Sequence, residues 1–226
     1  MSDNLITKGV KGPLNNPLVR GLIQLIPGGS SLDVLAQERL SQIETERFNI
    51  LIKALEEGEL DLTEDILNSN EFLHAFVKTS RATVQTYRRE KIQLLAELFT
   101  ATFKDNQFNK IDEYEELLSV IDDLSVRELN ILSLLDSFEQ KHPVQKEENE
   151  LQRSDHYWGT FIETVENEFS LNRDELKGVL VRLQRSGLYA PFEGNYWDYE
   201  GGRGFLSALY YKLRHFILHS IESGTI

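Results

Sequence analysis

The chain has 226 residues, 40% hydrophobic and 27% charged, the balance of a globular protein with room for one large domain or two small ones. With no cysteine it lacks disulfides, thiolate metal sites and cysteine nucleophiles, and a reducing cytoplasm suits it. Its net charge of -13 repels phosphate backbones, so any nucleic-acid reading needs a local basic patch.

Residues 1 to 13 are polar and glycine-containing and read as a loose tail. A secretory signal is not expected there, because Lys8 and Lys11 are followed by Pro13 and Pro17, and Arg20 interrupts the apolar run. Leu14, Leu18, Leu22, Leu25 and Ile26 recur at helical spacing and predict a short amphipathic helix stopped at Pro27. This segment is the candidate for membrane contact, although it lacks a strongly cationic face.

The Pro27–Ser31 knot, PGGSS, turns the chain: it has no phosphate-loop lysine and no preceding strand. Ser30 with Asp33 is a helix-start signal, and a long helix is predicted from there to about Glu57, before Gly58. Arg47 falls on that helix's apolar stripe, either packing its stem and pairing with an acid such as Glu44, or organising a site as a buried charge.

Phe72, Leu73, Phe76 and Val77 form the next helical stripe, and Leu94, Leu95, Leu98, Phe99 and Phe103 another. Between them Thr79, Ser80, Thr83, Val84 and Thr86 are weak helix formers, predicting a kink or join. Lys78, Arg81, Arg88, Arg89 and Lys91 cluster around it, in a region whose net charge over residues 1 to 138 is -9. They read as ion-pair partners of the acidic helix 111–123 or as an anion or partner patch, for an anionic ligand, a nucleic acid or an acidic membrane surface. Two more helices follow, separated by a capping box at Ser125 and Glu128, the second ending near Phe138.

The charged, proline-containing stretch 139–154 reads as a linker, giving a helical domain at 1–138 and a second domain at 155–226. In the latter, one helix carries Trp158, Phe161, Ile162 and Val165, and the next carries Leu176, Val179, Leu180 and Leu183 before Gly187 ends it. APFEGNYWDYEGGRG predicts a short hairpin, and FLSALYYKLRHFILHSI a closing helix. Tyr196, Trp197 and Tyr199 either pack the hairpin or form an aromatic surface for a protein partner.

This order, with RLQRSGLY at the end of its second helix, resembles a winged helix-turn-helix domain. The resemblance implies a mainly α fold: an N-terminal helical bundle followed by a small winged-helix-like α+β module. If such a module read DNA, Arg173, Lys177, Arg182 and Arg185 would face the groove and Arg203 in the wing would reach phosphate. Residues 155 to 226 nevertheless carry seven Lys and Arg against ten Asp and Glu, which favours a packing or association role.

In the N-terminal region IPGGSSLD, REKIQLLAELF and above all LLSVIDDLSVRELNIL resemble the Abi-alpha family of bacterial helical proteins linked with abortive-infection phage defence. KIQLLAELF stands where that family carries a tryptophan-alanine pair.

No enzyme signature is present: G-x-S-x-G, H-E-x-x-H and a strand-borne G-x-G-x-x-G are all missing. His215 and His219, with Glu222 one turn on, have the spacing of a zinc pair but read as interfacial residues on an amphipathic helix. His74 and His156 stand alone, and no metal or cofactor is expected. The expectation is a non-enzymatic association or regulatory protein, with DNA binding as the first alternative and membrane action as the second.

Overall fold

A computed structural model describes residues 34–57, 66, 69–104, 111–146, 148–192 and 202–217. The tail, the 14–26 helix, the Pro27–Ser31 turn, the Ser30–Asp33 start signal, Tyr196, Trp197, Tyr199, His219 and Glu222 lie outside the described residues. Those described are mainly helical, with nine helices and one two-stranded antiparallel sheet. No helix among them is long and apolar enough to cross a membrane.

The chain divides into two compact units, Met1–Tyr114 and Glu115–Ile226. The first contains α1 (Val34–Glu57), α2 (Asn70–Gln85) and α3 (Arg89–Lys104), and the division falls inside α4 (Ile111–Asp123). The helices α1, α2 and α3 pack pairwise on one another. Their apolar stripes meet in an aromatic core in which the Phe72 ring lies 5.3 Å from Phe99 and 5.2 Å from Phe103, both edge to face. Tyr114 closes this core, 6.2 Å from Phe99 and Phe103, and its hydroxyl meets that of Thr79.

The weak helix formers do not kink α2. Thr79 donates its hydroxyl to the Ala75 carbonyl at 2.8 Å, so the buried hydroxyl is satisfied within the helix. The join comes later, where Thr86 turns extended (φ -84°, ψ 127°) and its N–H bonds back to the Thr83 carbonyl. Arg47 reaches this break from α1 and donates to the Val84 carbonyl, one of the acceptors that the end of α2 leaves unpaired. Neither Glu44 nor a buried ligand site accounts for Arg47; a helix end does.

The second unit contains α5 (Val126–Lys141), α6 (Glu150–Asp155), α7 (Trp158–Phe169), α8 (Arg173–Arg185), β1 (Tyr189–Pro191), β2 (Gly204–Leu206) and α9 (Ala208–Phe216). The Ser125–Glu128 capping box is formed in both directions, as are boxes at Asn149–Gln152 and Asn172–Glu175. Gly187 has φ 79°, the left-handed turn that stops α8 and admits β1. The strands pair Tyr189 with Leu206, Ala190 with Phe205 and Pro191 with Gly204. At Gly204 a Cβ would lie 2.3 Å from the Ala190 carbonyl oxygen, so the pairing there requires glycine.

Two expectations are corrected. The stretch 139–154 is no spacer between domains: Glu139 ends the buried face of α5, and Arg153 is buried on the unforeseen helix α6. Opposite charges neutralise one another inside the fold, so the two ends of this charged segment are buried while most of the residues between them stay exposed. The closing helix starts at Ala208 rather than Phe205, because Phe205 and Leu206 complete the sheet and Ser207 caps α9 by accepting from Tyr210 N–H.

Candidate functional site

Helix α5 places Glu128, Leu132, Leu135 and Glu139 on one face by the i, i+4, i+7, i+11 repeat, with Asp136 alongside. Three carboxylates on this face, Glu128, Asp136 and Glu139, are therefore buried rather than solvated. Each meets an arginine from a different element: Arg182 of α8, Arg214 of α9 and Arg153 of α6.

Glu139 holds the innermost pair, with its side chain 3% and that of Arg153 9% exposed. Its Oε2 accepts from Arg153 Nη2 at 2.8 Å and from the Tyr211 hydroxyl at 2.8 Å. Its Oε1 accepts the Leu206 N–H of β2 at 2.9 Å. Burial raises the Glu139 carboxyl above the ordinary range, and the donors from Leu206, Tyr211 and Arg153 offset only part of that rise. Glu150 supplies a second carboxylate 3.0 Å from Arg153 Nε. Burial, and then the Glu139 charge, push the Tyr157 phenol up to about 12.

Asp136 Oδ2 accepts from Arg214 Nε at 2.7 Å and from Gln140 Nε2 at 2.8 Å. Glu128 combines its capping role, accepting Ser125 N–H at 2.9 Å and Oγ–H at 2.7 Å, with an ion pair to Arg182 Nε at 2.6 Å. Burial would raise its carboxyl, but the Arg182 and Ser125 bonds outweigh that and hold it below the ordinary range. The three pairs tie α6, α8, α9 and β2 to one helix.

Each of the three carboxylates accepts from an arginine, while Asp136 Oδ1 is buried with no hydrogen-bond partner among the described residues. Among the described residues no group of three or more His, Asp or Glu side chains is placed to hold a metal ion. His215 lies in the last turn of α9 beside Phe216, and its expected partners His219 and Glu222 lie outside the described residues.

Four of the five candidate DNA contacts face carboxylates. Arg173 lies 3.6 Å from Glu166, Lys177 3.2 Å from Asp174 and Arg182 2.6 Å from Glu128, while Arg203 pairs with Asp155. Arg185 is exposed in the last turn of α8. The solvent stripe of α8 carries Asp174, Lys177, Gly178, Val181, Gln184 and Arg185, with Val181 56% exposed at its middle.

The N-terminal patch is differently disposed. Arg81, Arg88 and Arg89 are exposed at the α2–α3 join, whereas Lys78 and Lys91 are half-buried and engaged with neighbours. Comparison with protein-family models, with the curated proteins and with the solved structures finds no match to this chain.

The α5 cluster escaped the sequence reading. Its signal was there in acids spaced 128, 136 and 139 among the apolar positions of one helix, and in Asn149-x-x-Gln152, the start box of α6.

Proposed function

We propose that this chain is a non-enzymatic, cytoplasmic association protein of a regulatory or phage-defence system, whose C-terminal unit is a winged-helix-like module that binds protein rather than duplex DNA. The carrying observation is that four of the five cations suited to DNA reading lie against carboxylates of their own unit. An arginine already engaged by a carboxylate releases few counterions on meeting phosphate, so it adds little to DNA affinity.

The stripe of α8 supports the same reading. It presents an exposed apolar residue, Val181, at a position where a groove-reading helix carries polar and cationic side chains. A small apolar centre with a polar rim is the ordinary composition of a protein contact. The defence assignment rests on the Abi-alpha resemblance, above all that of residues 117 to 132.

Mobility shift of the full chain with random-sequence duplex at low salt tests this. No shift from α8 is expected at micromolar protein. A shift abolished by Lys177→Glu with Arg185→Glu would assign DNA reading to α8 and overturn the proposal.

A further inference from the structure

Helix α2 ends at Gln85 and α3 begins at Arg89, so Thr86, Tyr87 and Arg88 make a corner that the packing of the two helices holds outward. Tyr87 is 82% exposed there. Exposure of that extent leaves a large flat apolar surface in water, although the aromatic core of the same unit lies under α2 and α3. The Arg47 guanidinium lies 6.0 Å from the Tyr87 ring centroid, and it is itself fixed by its bond to the Val84 carbonyl. The ring is thus braced on one side and open on the other.

Three exposed arginines lie close to it along the chain. Arg81 stands one turn, about 6 Å, before the end of α2, and Arg88 and Arg89 directly follow Tyr87 in sequence. Among the described residues none of the three forms an ion pair with a carboxylate, in a chain that carries 37 acidic residues. Their position is also electrostatically unrewarded, because Arg88 and Arg89 sit at the start of α3, where the helix dipole favours anions. Neither the helix dipole nor an ion pair among the described residues accounts for them, and an anion from outside would satisfy both the guanidinium groups and the helix end.

We infer that this corner binds single-stranded nucleic acid, an unpaired base stacking on Tyr87 while Arg81, Arg88 and Arg89 take the flanking phosphates. Arginine with an exposed aromatic ring is the pairing that single strands require: charge to follow the backbone and a flat face for the base. An acidic polypeptide would use the charge but has no base to stack, and a duplex keeps its bases stacked inside. The acidic remainder of the chain acts against binding only over about 8 Å at physiological ionic strength, which spares a compact site. With three phosphates neutralised, the logarithm of affinity should fall with that of salt at a slope of about -2, roughly 20-fold weaker from 50 to 200 mM.

Fluorescence anisotropy of the full chain tests this, with labelled oligothymidylate and oligouridylate of roughly 10 nucleotides, a duplex of equal length and a polyglutamate peptide of equal charge. Binding of either single strand is expected in the micromolar range at low salt, in preference to duplex and peptide. Tyr87→Ala should weaken binding about tenfold and Tyr87→Phe leave it unchanged, since stacking needs the ring and not the hydroxyl. Arg88→Glu with Arg89→Glu should abolish it, while Lys177→Glu with Arg185→Glu on α8 should not. The inference is overturned by absence of single-strand binding, by equal binding of polyglutamate or duplex, or by indifference to Tyr87→Ala. Unchanged circular dichroism of these exposed-site variants keeps loss of binding separate from loss of fold.

Discussion

Substituting Glu139 with alanine removes the acceptor of three donors at once: Arg153 Nη2, the Tyr211 hydroxyl and the Leu206 N–H. Arg153, with only 9% of its side chain exposed, keeps Glu150 as its other carboxylate but loses the buried one. Breaking a buried pair by removing one partner costs about 3–5 kcal/mol, a large share of the ~5–15 kcal/mol that stabilises a typical domain. Glu139→Gln should be milder, at about 1–2 kcal/mol. It keeps an oxygen for Leu206 and the volume of the side chain, and burial already disfavours the charge it deletes. Urea unfolding followed by tryptophan fluorescence isolates the effect, because Trp158 and Trp197 both belong to the second unit. The double variant with Arg153→Met should cost less than the sum of its parts, since it removes both charges together. A loss below about 0.5 kcal/mol for Glu139→Ala, or strict additivity in the double variant, would refute the view that this pair secures α6 and β2 to α5.

Further outcomes follow from the same geometry. Glu139 has a raised folded-state pKa, so the native state holds its proton longer; its contribution falls as pH rises through the window above 4.5, and Glu139→Gln should flatten that decline in urea midpoints. Glu128 has the opposite sign: its contribution is present above 4.5 and lost as pH falls below it, so Glu128→Gln should make stability less acid-sensitive while lowering it at neutral pH. Gly204→Ala forces a Cβ to within 2.3 Å of the Ala190 carbonyl oxygen, and the melting temperature should fall, with the β1–β2 pair exchanging amide hydrogens faster. Phe72→Ala in the first unit should cost about 3–5 kcal/mol by opening a cavity between Phe76, Phe99 and Phe103, read from a thermal melt by circular dichroism.

Helix positions were legible where apolar period and caps agree. Ser125 with Glu128 marks the start of α5 to the residue, and Gly187 marks the stop of α8, since one side chain or one φ angle decides each. The break between α2 and α3 was legible and falls at Thr86, the last of the weak helix formers, while Thr79 and Thr83 stay helical because tertiary burial overrides their weak propensity. The domain boundary and the α5 cluster were not read, for a common reason. A charged residue counts as solvent-facing in any local pattern, and only the fold reveals that Glu139 and Arg153, 14 positions apart, bury one another. Asp174 beside Lys177 was legible as a near neighbour in sequence, whereas Glu128, 54 positions from Arg182, was not.

What the α8 face touches in the cell can be read directly by placing a photo-crosslinking amino acid at Val181, which is exposed at the middle of that stripe. Adducts that survive nuclease, disappear with protease and exceed the chain by the mass of a protein are expected. Adducts that collapse on nuclease treatment, or no adducts at all, would contradict a protein-binding role for the C-terminal unit.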